Sequence, residues 1–289
     1  DLATGMVTEF TELQGEMGKE YALLDGEKPE VAQAIFEQYM PRFAGDILPQ
    51  QEIGRALSLA DKLDNLAATF LRGLIPTGSQ DPFALRRQTI GAVNILTDGK
   101  IHWDIRRGIE AALALLPGDE ETKKTVLSQI EDFFRQRIKA IMLDEGIAYD
   151  IIDAVLAGPV DDIYALFLKA RSMAESHLKG EAELRQAVTR LANITKGKAG
   201  GKVDPSLFTE DVEKKLQDAF EAVSAKALPL FASYEYGKAL PALKELTGPI
   251  NDYLDNVMVM VDDEAVKNNR ISQLLATLAL FNTWGDFSK

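Results

Sequence analysis

Pro76-Thr-Gly-Ser-Gln-Asp-Pro-Phe-Ala-Leu-Arg-Arg87 stands between two stretches of helical periodicity and decides where one ends and the next begins. Pro76 and Gly78 break the pattern ahead of them. Asp81 offers a carboxylate to free backbone N–H groups, and Pro82 suits a first helical position, where no N–H is needed. The spacing predicts a helix that starts at about residue 82. Arg86 and Arg87 then fall near its first turn, where a cation gains nothing from the positive helix end. They read either as a solvated or salt-bridged pair or as a contact to a polyanion.

Outward from this break the chain is helical in both directions. Upstream, Val31, Ala34, Ile35 and Tyr39 keep helical spacing after Pro29, and Ile53, Ala56, Leu57, Ala60, Leu63, Leu66, Ala67 and Phe70 do so over a longer segment. Downstream, Asp119, Glu120 and Glu121 place negative charge on a helix start, followed by a stripe from Val126 through Phe133 and Phe134 to Met142. Pro159 with Asp161 and Asp162 opens another helix, carrying Ile163, Leu166, Phe167 and Ala170. Ser206, Thr209 and the acids after them start the next. Pro229, Gly237 and Pro241 interrupt the region beyond, and a last helix runs near residues 265 to 281. Val257-Met-Val-Met-Val261 is the single β-like run and reads as a buried helix turn. The expected fold is all-α, with a small domain over 1–80 and a larger one over 81–289.

Composition narrows the function classes. No run approaches the roughly 18 uncharged apolar residues of a membrane span, so no membrane is expected as a partner. Without cysteine, disulfides, thiolate nucleophiles and cysteine-held zinc are excluded, which is compatible with a cytoplasmic location. The chain begins at Asp1 rather than methionine, which points to a processed chain or a piece of something longer. The net charge of −13 argues against nucleic acid as a sum, but its distribution is uneven. Residues 1–85 hold six Lys/Arg against fourteen Asp/Glu, while Leu184 to Val203 carries Arg185, Arg190, Lys196, Lys198 and Lys202 and no acid. Such a run is a solvated loop by default. Its glycines, Gly197-Lys-Ala-Gly-Gly-Lys202, mark a mobile linker between helices.

Catalytic constellations are few. The only histidines are His102 and His177, and there is no Walker loop, G-x-S-x-G elbow or H-E-x-x-H pair. Asp61 and Asp64 in Ala60-Asp-Lys-Leu-Asp64 share a helix face, as a metal or general-acid pair would, with Lys62 well around the helix from both. An exposed acidic face explains them more simply. His102 beside Trp103 reads as a packed or loop imidazole, and His177 as one favoured by a helix C-terminus.

Thr4-Gly-Met-Val-Thr-Glu-Phe-Thr-Glu-Leu-Gln-Gly15, Pro41-Arg-Phe-Ala-Gly-Asp46, Ala60 to Asp64 and Pro76 to Arg87, in that order and spacing, resemble the C-terminal part of the beta subunit of bacterial glycyl-tRNA synthetase. The resemblance spans the whole chain. It implies an HD-like helical domain (1–80) followed by a DALR-type anticodon-binding bundle (81–289), in an assembly of two alpha and two beta subunits. The DALR-like part rests on Asp81 to Arg87, on Arg190-Leu-Ala-Asn-Ile194, on Tyr253-Leu-Asp-Asn-Val-Met-Val-Met260 and on Asn269-Arg-Ile271. Aminoacylation, with its ATP and Mg, is implied for the alpha subunit, and tRNA recognition largely for beta. This chain is thus expected to be non-catalytic and to hold no cofactor. The HD-like part departs from an active HD phosphohydrolase, because no histidine precedes His102, Gln38 stands where a helix could offer one, and the doublet reads Ala60-Asp61. Without imidazole ligands, it is expected to be a scaffold that holds no metal.

The implied partner, glycine tRNA, meets the residue pattern on the cationic run. Single-stranded loops are read by splayed bases on aromatic or Arg planes and through their Watson–Crick edges. Arg190 and Asn193 are therefore expected near the base-reading surface, with Arg185 beside them and Lys196, Lys198 and Lys202 on phosphates. Arg86 and Arg87 are weaker candidates that could instead brace the two domains. The competing class is a helical protein-interaction module with an exposed apolar groove and no RNA binding. An HD-type phosphohydrolase would require a bound divalent metal.

Overall fold

The computed structural model describes residues 5–176 and 181–288, so Thr4 of the first motif and His177 lie outside the described residues. Among these residues there are α-helices and short 3-10 turns and no β-strand, as the periodicity predicts. In chain order the helices are α1 (Gly5–Glu9), α2 (Glu16–Leu24), α3 (Pro29–Glu37), α4 (Glu52–Leu71), α5 (Leu85–Asp98), α6 (Ile105–Ala114) and α7 (Glu120–Asp144). They continue as α8 (Tyr149–Leu156), α9 (Ile163–Glu175), α10 (Ala182–Thr195), α11 (Asp211–Ala232), α12 (Leu240–Lys244), α13 (Thr247–Asn256) and α14 (Glu264–Asn282).

The chain divides into two units. The first holds the described residues up to Ile141 with Val160–Tyr164, and the second holds Met142–Pro159 with the described residues from Ala165 onward. The boundary expected at 80/81 falls inside the first unit. The reason is packing: α5 lies against α4, and its stripe of Leu85, Ala92, Val93, Ile95 and Leu96 is buried. The Pro/Gly break is therefore a connection between neighbouring helices of one core.

Within that connection the helix starts at Leu85, three residues later than predicted. Pro82 and Phe83 form a turn, Ala84 takes a left-handed backbone (φ 54°), and Leu85 is delivered into the core. Asp81 still caps the helix, from further back. Its two carboxylate oxygens accept from the backbone N–H groups of Leu85 (2.8 Å) and Arg86 (3.0 Å).

In the first unit α4 is the central element, packed on α3, α5 and α6. Leu59, Leu63, Leu66, Ala67 and Phe70 line its buried side, and Phe70 meets Phe133 of α7 edge to face at 5.3 Å. Glu37 at the end of α3 is 2% exposed and accepts from Gln33 Nε2 (3.0 Å) and from the backbone N–H of Gln51 (3.1 Å), ahead of α4. Only glycine fits opposite it, since a Cβ on Gly54 would lie 1.9 Å from Glu37 Oε2 and 2.7 Å from its Cβ. Gly54→Ala is expected to cost about 2–4 kcal/mol in denaturant unfolding, as overpacking plus a displaced buried carboxylate. A loss below about 0.5 kcal/mol, the size of an ordinary surface change, would show that Glu37 has another place to go.

Lys62 of α4 also points inward, at 3% exposure. Its Nζ donates to Met40 O (2.8 Å) and Ser58 Oγ (2.7 Å), while Ser58 Oγ donates to Met40 O (2.7 Å). Burial lowers its pKa to about 8, although the charge of Asp61 acts in the opposite sense.

In the second unit α10, α11, α13 and α14 pack around Leu184, Val188, Leu191, Leu216, Ile250, Tyr253 and Leu274. The indole of Trp284, fully buried, donates to Ser172 Oγ of α9 (2.9 Å). Three expectations change here. The helix after Pro159 begins at Ile163. Pro229 lies inside α11 rather than ending it. Val257–Val261 is not a helix turn: α13 stops at Asn256, and the chain runs on without helix, Val257 and Val259 buried at 7% each. Met258 and Met260 point outward at 73% and 52% exposure, an in-and-out alternation along a stretch that leaves α13 extended at Val257 and bends at Val259 and Met260.

The second unit is locked by one buried ion pair. Arg270 of α14 donates from Nε to Glu213 Oε1 (3.0 Å), from Nη2 to Glu213 Oε2 (3.2 Å) and Thr209 Oγ1 (2.6 Å), and from Nη1 to Met258 O (2.8 Å). Glu213 also accepts from the backbone N–H groups of Thr209 (2.8 Å) and Glu210 (2.9 Å) at the start of α11. Burial opposes the charged carboxylate, but these hydrogen bonds and the Arg270 charge outweigh it and hold Glu213 below the ordinary glutamate range. Tyr253 lies near this pair, and burial, with the Glu213 charge, pushes its hydroxyl upward.

Candidate nucleic-acid interface

The cationic run divides between the end of α10 and the segment that follows it. On α10 the apolar stripe of Leu184, Ala187, Val188, Leu191 and Thr195 faces the core. By helical geometry Asn193 stands opposite that stripe, with Arg185 and Arg190 on its flanks. Asn193 and Lys196 are exposed, and Arg185, Arg190 and Lys198 are half-buried. The run does not present five equivalent cations. Arg190 Nη1 donates to Asn251 Oδ1 (2.9 Å), and its Nη2 to Asp255 Oδ1 (2.5 Å), both on α13. Lys202 lies in the field of Asp204, whose carboxyl is held below its ordinary range mainly by hydrogen bonds from Ser206, with a contribution from the Lys202 charge. Lys196 has no ion pair or hydrogen-bond partner for its side chain among the described residues.

The glycine-rich segment is not the free linker its composition suggests. Gly201 N donates to Ser272 Oγ of α14 (2.8 Å). Two residues beyond the run, Asp204 and Asn269 exchange hydrogen bonds, Asp204 N to Asn269 Oδ1 (2.7 Å) and Asn269 Nδ2 to Asp204 O (2.9 Å). Asn269 is 5% exposed, so the chain is pinned by a buried amide that satisfies one backbone donor and one acceptor at once. The loop instead carries Lys198 to the non-helical run after α13, where its Nζ donates to Met260 Sδ (3.4 Å).

The structure thus brings together Arg190, Lys198, the end of α13 and the exposed pair Met258 and Met260. The methionines were missed from the sequence because five apolar residues in a row suit a buried element of either kind. The discriminating signal was the alternation of β-branched Val with unbranched Met, which places one type inside and the other outside. Exposed thioethers beside cations form a soft, polarisable surface on which a base can lie, with phosphates held at its edge.

The other candidates fall in the first unit. Arg87 Nη1 donates to Arg42 O (2.8 Å) and Arg86 Nη1 to Gln80 O (3.4 Å), so both brace neighbouring backbone. Arg86 also lies near Arg137, whose basicity is lowered by burial and then by the Arg86 charge. His102 Nδ1 is 2.8 Å from Asp162 Oδ2, with its ring 4.9 Å from that of Tyr164, a packed loop imidazole. Asp61 accepts from Gln38 Nε2 (3.4 Å) and Asn65 Nδ2 (3.3 Å). No three side chains among the described residues converge as metal ligands, and no helix among them is long and apolar enough to cross a membrane.

Residues 1–157 match the family described as glycyl-tRNA synthetase beta subunit, a match that runs past the first unit through α8, and residues 184–285 match the DALR anticodon binding domain, from Leu184 in α10 through α14. The glycine–tRNA ligase beta subunit of Clostridioides difficile (strain 630) is 46% identical over 275 residues, covering 95% of this chain and 40% of that protein. The corresponding subunit of Desulforamulus reducens is 42% identical over 293 residues, covering all of this chain and 42% of its own length. The chain therefore spans about two fifths of the curated relatives it matches. With the first match extending over more than half of its residues, the chain belongs to the glycyl-tRNA synthetase beta subunit family.

Proposed function

We propose that this chain is the tRNA-recognising part of a glycine-tRNA ligase beta subunit, and that it reads the anticodon of glycine tRNA while aminoacylation proceeds on the alpha subunit. The observation that carries this reading is the contact of Lys198 with Met260 beside the exposed Met258, within the segment matched by the DALR anticodon binding domain, with the exposed Lys196 two residues before Lys198. Lys196 and Lys198 serve as phosphate contacts. Met258 and Met260 offer a surface to unstacked bases, and Asn193, exposed opposite the core stripe, is placed to donate to or accept from a base edge. Arg190 is a positioning residue, because its guanidinium already holds α10 to α13. Arg185 and Lys202 contribute general positive potential, and Arg86 and Arg87 support the first unit. ATP and Mg belong with the alpha subunit, in an assembly of two alpha and two beta subunits, and this chain supplies no catalytic group.

The test is a fluorescence anisotropy titration with glycine tRNA across a range of salt. Each single-strand phosphate contact contributes about −0.7 to the log–log salt slope, so Lys196→Glu/Lys198→Glu should reduce the slope by about 1.4 and weaken binding at least about tenfold. Met258→Ser/Met260→Ser should weaken binding with the slope unchanged. Equal affinity and slope in the charge-reversed variant would remove this surface from the assignment. Absence of binding at any salt would favour the protein-interaction module instead.

A further inference from the structure

The first unit contains a cavity of about 960 Å³ between α4 and α6 that the anticodon reading does not use. Its walls are kept apart by small side chains, Ala56 and Ala60 on one helix and Gly108, Ala111 and Ala112 on the other. Gly108 seats an indole: a Cβ there would lie 2.3 Å from Trp103 Cη2 and 2.8 Å from Leu63 Cδ1. Trp103 lines the cavity and remains 37% exposed.

The charge in this cavity has one sign. Glu52, Asp61 and Asp64 line it against a single cation, Arg55, whose Nε is engaged by the carbonyl of Pro49 (3.0 Å). Asp61 receives only two long hydrogen bonds from neutral amides, at 3.4 and 3.3 Å, and Asp64 has no hydrogen bond or ion pair among the described residues. The two carboxylates are one helical turn apart and so share a face. Lys62 makes no ion pair with either, because its ammonium is buried on Met40 O and Ser58 Oγ and meets the Asp61 charge only at longer range.

The geometry points to a binding site for a small organic cation, an amine or guanidine on a flat apolar body. The apolar body would lie along Trp103 and the small-residue walls, and the cationic head would meet Asp61 and Asp64. An indole face and carboxylates both favour a cation. The volume is that of a small-molecule pocket. The same charge repels phosphate, which separates this cavity from any RNA-binding surface. The inference is independent of the anticodon reading, since its residues all lie in the first unit.

Trp103 provides the readout, since Trp284, the other of the two tryptophans, is fully buried in the second unit. Phenethylamine, phenethyl alcohol and 3-phenylpropionate are titrated at neutral pH against the chain, following Trp103 fluorescence excited beyond the probes' own absorption. The amine should bind at least about tenfold more tightly than the alcohol, and the carboxylate should be weakest. In Asp61→Asn/Asp64→Asn, whose folding is checked by far-UV circular dichroism and by the urea unfolding of the first unit, the amine should fall to the affinity of the alcohol. Equal binding of amine and alcohol by the unmodified chain, a preference for the amine that survives in the double variant, or no response to the amine would each overturn the assignment.

Discussion

Arg270→Met is expected to destabilise the second unit by about 3–5 kcal/mol, the loss typical when one partner of a buried ion pair is removed. Arg270 and Glu213 have side chains only 5% and 0% exposed, so the carboxylate left behind would have no solvent to replace the guanidinium. The same change removes the bond that the carbonyl of Met258 accepts from Arg270 and the one that Thr209 Oγ1 accepts, leaving Thr209 its own donation to Glu213 Oε2 (3.3 Å). Urea unfolding followed by Trp284 emission measures the loss. Glu213→Gln/Arg270→Met should recover at least half of it, because a neutral amide can still accept from the Thr209 and Glu210 N–H groups without a stranded charge. A single-variant loss below about 1 kcal/mol, the level of an exposed pair, would show that the pair is solvated in practice. The pH dependence has a fixed sign. The pKa of Glu213 is lower in the folded chain than unfolded, so its contribution is complete above the unfolded value and disappears as pH falls through the folded one. Arg270→Met should therefore flatten the acid limb of the stability curve. On the proposed reading it should also weaken tRNA binding, since the carbonyl of Met258 is held by this arginine.

Raising the pH from 8 to 10.5 should stabilise the first unit through Lys62, and Lys62→Met should abolish that gain. Burial lowers the Lys62 pKa from 10.5 to about 8. Between these values the unfolded chain binds more protons than the folded one, so stability rises with pH across the window and is constant on either side. The full shift corresponds to about 3 kcal/mol at 1.36 kcal/mol per pKa unit. At neutral pH, Lys62→Met removes the penalty of burying the charge. Met40 O keeps its bond from Ser58 Oγ, and the methionine chain fills much the same volume, so the variant should lose less than about 1.5 kcal/mol there. The measurement is the difference in unfolding free energy between wild type and Lys62→Met at pH 7.5 and pH 10.5. A difference that does not change between them would mean that Lys62 titrates as an exposed lysine.

Much of this architecture was legible in residue order. The stripe of α7 and the second half of that of α4 appear where spacing predicts them, because a long helix repeats its buried face often enough for the pattern to exceed chance; in the first half of α4 the expected Ile53, Ala56, Leu57 and Ala60 are exposed, and Gly54, Ser58 and Leu59 turn inward instead. Asp81 was correctly read as a cap, but the helix start was misplaced by three residues. The Pro82–Phe83 turn and the left-handed Ala84 serve the burial of Leu85, a demand set by α4 rather than by local sequence. The cationic run was visible as composition. Which of its members are available was not, because the partners of Arg190 and Lys198 lie about sixty residues away.

The sequence by itself determined an all-α chain, the capping role of Asp81 and the concentration of positive charge in Leu184 to Val203, since these depend on periodicity, side-chain chemistry and composition. Tertiary structure alone decided the rest. Asn269 pins the glycine segment, Arg270 ties down the Met258 carbonyl, Asp255 compensates Arg190, and the walls of the α4–α6 cavity stand apart because small residues face each other. The physical reason is the same in each case. A hydrogen bond or charge pair between residues remote in sequence has no local signature, yet burial makes its satisfaction obligatory and so determines where the chain can go.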